Sequence, residues 1–170
     1  MAQPRNLRNP PVVEAIIDLS VRFPGQVKAE SFAELAHDIQ PEYQGPDRRN
    51  VYHVVLGQQG VLQPPVPQPV GSYLFRSGSR AVQSKTNGFT FSRLSPYQGW
   101  GNLIGDALAV WELYRARFNP ERIVRCSVRY INRMMLPGII DFDDYIIGGP
   151  VIPPELPQVL SEFSSTYVLP

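Results

Sequence analysis

From Val12 to Phe23 the chain alternates, with Ala15, Ile17, Leu19, Val21 and Phe23 on one side. Glu14, Asp18, Ser20 and Arg22 fall on the other, where Ile16 is the single apolar exception. A period of two over this length predicts a half-buried strand. Pro10-Pro11 and Pro24-Gly25 bound it. Between Ala29 and Gln40 the period changes: Phe32, Leu35, Ala36 and Ile39 share a helical face, with Glu30, Glu34 and Asp38 outside it. Pro41 stops that helix. Val51 to Leu56 reads as a second strand. Residues 64–69, Pro-Pro-Val-Pro-Gln-Pro, predict a stiff extended loop, because proline has no N–H to donate. Tyr73–Arg76 and Ala81–Lys85 follow as short strands, and Asn87-Gly88 signals a two-residue hairpin into Phe89, Thr90, Phe91 and Ser92.

The longest helix has the clearest signals. Ser95 as cap, Pro96 at the first helical position and Gln98 completing a capping box place its start at Pro96. Leu103, Ala107, Trp111, Tyr114 and Phe118 then recur at helical spacing, and Asn119-Pro120 ends it. Arg122 to Met134 predicts a long strand that puts Val124, Cys126, Val128 and Tyr130 in the core. Asp141 to Ile147 reads as one or two helical turns before a proline-rich, mainly irregular remainder. The order β-α-β-β-β-β-α-β argues an α+β fold, a mainly antiparallel sheet with two main helices packed on one face.

Composition bounds this picture without changing it. A chain of 170 residues fits a single domain over 1–170, and 43% hydrophobic against 18% charged residues is a globular balance. One cysteine, Cys126, rules out an internal disulfide and a multi-cysteine metal site. The N-terminus lacks the apolar region of a secretory signal, and no apolar run approaches the ~20 residues of a membrane span, so the cytoplasm is the expected compartment. The ending, Ser164 to Pro170, has neither a helix stop nor a charged tail, which is compatible with the N-terminal portion of a longer protein. Net charge is +1, and that alone predicts no polyanionic partner. The distribution says more: Arg115, Arg117, Arg122, Arg125, Arg129 and Arg133 crowd one stretch, and the chain beyond Arg133 carries only acidic charges. Such segregation argues that an acidic segment, in this chain or in a partner, answers the basic one.

Several stretches together carry a resemblance: Asn9 to Ala15, then Gly88 to Leu94 running into Pro96-Tyr97 and Trp100, then Arg129 to Arg133, then Ile152 to Pro157. The chain resembles a sporadically distributed family of uncharacterised bacterial proteins. That resemblance implies no activity and no site residue. Its patchy distribution implies a defence-associated or mobile-element setting.

Candidate catalytic constellations are few. His37 and His53 are far apart in sequence, and no HExxH, paired-cysteine or Gly-x-Ser-x-Gly pattern occurs, so serine, cysteine and zinc hydrolase chemistry is disfavoured. Gly99-Trp100-Gly101 with Gly105 is a near miss for a dinucleotide fingerprint. With a helix starting at Pro96 these glycines fall inside its first turns, where a packing role is the better reading. Asp141, Asp143 and Asp144 read as a helix cap and first turn rather than a cation site. No metal and no cofactor is expected.

One arrangement stands out. Arg125, Ser127, Arg129, Ile131 and Arg133 share a strand face, with the arginines four residues or ~13 Å apart. Glu14 and Asp18 repeat at the same interval on the first strand. On the structural reading the two strands lie side by side and pair charges across the sheet. On the functional reading Arg125, Arg129 and Arg133, with Glu14 or Asp18, bind a phosphate, a nucleotide or a nucleic-acid backbone. Two functions follow. The first is a non-catalytic interaction or regulatory module with a protein partner or as a homo-oligomer, in a defence or toxin–antitoxin-like system. The second is phosphate or nucleic-acid handling on the arginine face.

Overall fold

The alternation of Val12–Arg22 forms strand β1, and everything else is built outward from it. In the computed structural model, residues 7–53, 66–135 and Glu155 are described. The chain divides into two compact units, Met1–Arg133 and Met134–Pro170.

The remaining strands are β2 (Gln44–His53), β3 (Val66–Ser77), β4 (Arg80–Lys85), β5 (Gly88–Leu94) and β6 (Arg122–Asn132). They form a sheet in the order β2-β3-β4-β5-β1-β6, with every described pairing antiparallel. Strands β2 to β5 are a meander. Since β1 is antiparallel to both neighbours, β5 and β6 run parallel on either side of it. A parallel connection needs a crossover, and α2 (Trp100–Phe118) supplies it. The predicted α+β class and element order are therefore observed.

The core lies between one sheet face and the helices. Ala15, Ile17, Leu19 and Val21 of β1 meet Phe89 and Phe91 of β5, and α2 answers with Leu103, Ala107, Trp111 and Tyr114, all buried. Phe32, fully buried, stacks on Tyr114 and meets Phe118 at a tilt, at ring separations of 6.3 and 4.7 Å. The first helical stretch is a 3-10 segment, Ala29–Leu35, running into the short helix α1, Ala36–Ile39. Arg117 clips α2 onto α1 by a two-pronged ion pair with Asp38.

Several expected boundaries move. Helix α2 begins at Trp100, not Pro96, and no side chain caps it. Ser95 still behaves as strand, its N–H bonding to the carbonyl of Val13, so the capping box never forms. The turn into the helix occurs at Gly99, whose φ of +96° favours glycine. Gly101 and Gly105 have nothing within 4 Å of a built Cβ, so they do not serve close packing. In the hairpin the turn residues are Thr86 and Asn87, because Lys85 pairs with Gly88. Residues 66–69 of the proline run belong to β3 rather than to a loop. There β3 pairs with β2 only, its ladder with β4 starting at Ser72, so prolines need no donor on the other side. Residues 54–65, the Asp141–Ile147 turn and the chain end fall outside the described residues.

Candidate functional site

Register decides where the arginine row points. In the β1–β6 ladder Ser20 stands opposite Arg125, Asp18 opposite Ser127, Ile16 opposite Arg129 and Glu14 opposite Ile131. The side of β1 that turns away from the helices therefore shares a face with Arg125 and Arg129, as the alternation implies. Arg125 Nη2 reaches Asp18 Oδ2 at 3.3 Å. Arg133 lies just past the strand end, where its N–H bonds to the carbonyl of Pro11.

Asp18 has a closer partner that sequence reasoning did not single out. Lys85 Nζ lies 2.5 Å from Asp18 Oδ1, and the Thr90 hydroxyl donates to the same oxygen at 2.6 Å. Burial alone would raise this carboxyl; the Lys85 and Thr90 hydrogen bonds, the Lys85 charge and then Arg125 together hold it below the usual carboxylate range. Lys85 reaches Asp18 because β4 pairs β5 and β5 pairs β1, a non-local order. The only advance signal was the rarity of lysine in the chain. Asp18 is thus largely neutralised from the β4 side, leaving Arg125 a loose second partner with 66% of its side chain exposed. Among the described residues Glu14, Arg129 and Arg133 form no ion pair. Glu14 instead lines a concavity of about 400 Å³ on the open face with Arg49 and Arg76, the latter held by Asp47. Of the rest of the basic stretch, Arg115 pairs with Glu112 and Arg117 with Asp38 and Glu34, whereas Arg122 forms no ion pair among the described residues.

The other face of β6 overturns an expectation. Val124, Cys126, Val128 and Tyr130 are exposed, not core. Helix α2 packs over β5 and β1, so β6, at the edge of the sheet, lies beyond its cover. A small apolar groove of about 170 Å³ remains between α2 and β6, lined by Ile104, Leu108, Ile123 and Cys126 over Leu19. At the far end of β6 an aromatic cleft of about 500 Å³ is formed by Tyr97, Trp100 and Tyr130 with Arg8. Tyr97 and Tyr130 meet edge to face, and burial with the Tyr130 hydrogen bond pushes the Tyr97 phenol up to about 12.

Backbone polarity completes the site. The Val13 carbonyl accepts from the Ser95 N–H and the Val21 N–H donates to the Asn87 carbonyl, so the odd-numbered residues of β1 address the β5 side. Its even-numbered residues must then address β6, through Arg125, Ser127, Arg129 and Ile131. The N–H and C=O groups of Cys126, Val128 and Tyr130 consequently point outward, where no described strand pairs with them.

Among the described residues no nucleophilic or metal-binding constellation is assembled. His37 is exposed on α1, and no group of three or more His, Cys, Asp or Glu able to hold a metal occurs among the described residues. No helix among them is long and apolar enough to cross a membrane. The chain matches no protein-family model, no curated protein and no solved structure in the comparisons made with each.

Proposed function

We propose that this chain is a non-catalytic interaction module whose docking element is β6. One observation carries the reading: among the large apolar side chains exposed in the described residues, Ile123, Val124, Val128 and Tyr130, and Ile131 on the arginine face, belong to this one strand. Clustered exposure of that kind marks a surface that binds something, whereas scattered exposure does not. The resemblance to a sporadically distributed bacterial family supports a place in a defence or toxin–antitoxin-like system.

Phosphate or nucleic-acid handling is the second reading, favoured by the charge balance of the open face. Arg49, Arg76, Lys85, Arg125 and Arg129 stand there against Glu14, Asp18 and Asp47. It is the weaker reading, because Asp18 and Asp47 already hold Lys85 and Arg76.

A photo-crosslinking residue placed at Val128, and another at the exposed Glu112 of α2, separates docking from chance encounter. A discrete adduct from Val128 and none from Glu112, in cells that express the protein, is the expected result. In parallel, a nucleoside triphosphate and a short RNA are titrated at low and physiological salt. Tight binding of either that collapses in Arg129→Ala, with no adduct from Val128, would replace the module by the phosphate-handling protein.

A further inference from the structure

The β6 edge has two chemically different sides, and together they specify what can pair with it. Resting on the reading of β6 as a docking edge, we infer that its partner is an extended segment that adds to β6 as an antiparallel strand and alternates apolar with acidic residues. The derivation is one of register. Outward-facing N–H and C=O groups on Cys126, Val128 and Tyr130 form hydrogen-bonded pairs with the incoming residues opposite them. Those incoming side chains fall on the helix side, beside Cys126 and Val128 and next to the apolar groove under Leu108. The residues between them fall on the open face, opposite Arg125, Ser127 and Arg129. The partner therefore presents two apolar residues flanking a central position, and two carboxylates four residues apart, outside that pair. Main-chain hydrogen bonds supply the affinity of such an added strand, and alternate side chains its specificity. A chain continuing past Tyr130 meets the cleft of Tyr97 and Trp100, which can take an apolar anchor.

Charge argues against a second copy as the occupant. Pairing β6 with β6 sets one arginine row beside another on the same face and adds no carboxylate, because Arg125 and Arg129 are the charged residues that β6 turns to that face. Like charges across a sheet are unfavourable. Arginines on an open edge also discourage edge-to-edge association of identical chains.

The test uses the full chain and a fluorescein-labelled peptide with glutamates four apart, valines flanking the central residue and threonine elsewhere, followed by fluorescence anisotropy. Lysine in place of both glutamates is expected to weaken binding about tenfold, and Arg129→Met in the protein, which removes one charge pair, about threefold. A shuffled peptide of the same composition is expected not to bind. Val128→Pro removes an outward N–H without touching the β1 ladder and abolishes binding, with circular dichroism reporting that the fold is kept. Should that variant not fold, methylating the valine nitrogens of the peptide blocks the same hydrogen bonds on the unaltered protein, whereas methylating the glutamate nitrogens is tolerated. Equal binding of glutamate and lysine peptides, both lost on valine methylation, overturns the acidic partner and leaves the docking edge standing. Binding indifferent to both Val128→Pro and valine methylation overturns the edge itself. Self-association abolished by Val128→Pro, with no peptide bound, overturns the inference in favour of a second copy.

Discussion

Replacing Asp18 by asparagine removes a negative charge from beneath the arginine row while keeping the shape and one acceptor oxygen. The cost divides between two cations of very different exposure. Lys85 is 20% exposed and Asp18 14%, at 2.5 Å, so their hydrogen bond is charge-assisted and partly shielded from water. Bonds of that kind contribute about 1.5–3 kcal/mol. Arg125, at 3.3 Å and 66% exposed, contributes about 0–1 kcal/mol. Two double-mutant cycles measured by urea unfolding separate the terms: Asp18→Asn with Lys85→Met, and Asp18→Asn with Arg125→Met. The expected coupling is about 2 kcal/mol in the first and under about 0.5 kcal/mol in the second. The pH dependence has a definite sign. Because the folded carboxyl is held below its usual value, its contribution is present above the unfolded pKa, about 3.9, and lost as pH falls through the lower folded value. The stability gap between wild type and Asp18→Asn is therefore flat from neutral pH to about 5 and closes only below about 4. A coupling to Arg125 equal to that to Lys85 would refute the assignment. It would also mean that the arginine row is spent inside the sheet rather than available to a partner.

Other expectations follow from burial. Trp111, 7% exposed against Phe89 and Tyr114, makes Trp111→Ala cost about 3–5 kcal/mol in chemical denaturation. Arg129→Met, which keeps the stem beside its cross-strand neighbour Ile16 and removes only charge, changes stability by less than about 0.5 kcal/mol by the same assay. Cys126, exposed on β6, reacts stoichiometrically with a thiol reagent such as dithionitrobenzoate without denaturant; modification only on unfolding would show it buried.

Much of the fold was legible because its signals are local. The alternation of β1 and the spacing of Leu103, Ala107, Trp111 and Tyr114 each encode a face, and each face is buried as read. The failures occur where a local signal competes with a distant one. Ser95, Pro96 and Gln98 are good cap residues, but Ser95 is claimed by Val13 of β1, a partner that no window around residue 95 contains. The prolines at 67 and 69 argue against a strand until it is known that this part of β3 has a neighbour on one side only.

Strand β6 shows the same limit most sharply, and there it bears on function. Its alternation of Val124, Cys126, Val128 and Tyr130 with Arg125, Ser127 and Arg129 has the pattern of a half-buried internal strand, and periodicity cannot tell an internal strand from an edge. The sheet order, set by where the crossover helix lands, puts the strand at the edge of the described sheet, so among the described residues an apolar face patterned for burial stays exposed. A strand meant for solvent on both sides has no need of valine and tyrosine at alternate positions. On the reading of β6 as a docking edge, the half that no described residue supplies comes from a partner. On that reading the same two-sidedness sets the partner's chemistry, since among the described residues apolar contacts stay open on one side of β6 and positive charge on the other. The candidate site is therefore visible as a disagreement between what the sequence pattern asks for and what the described residues provide.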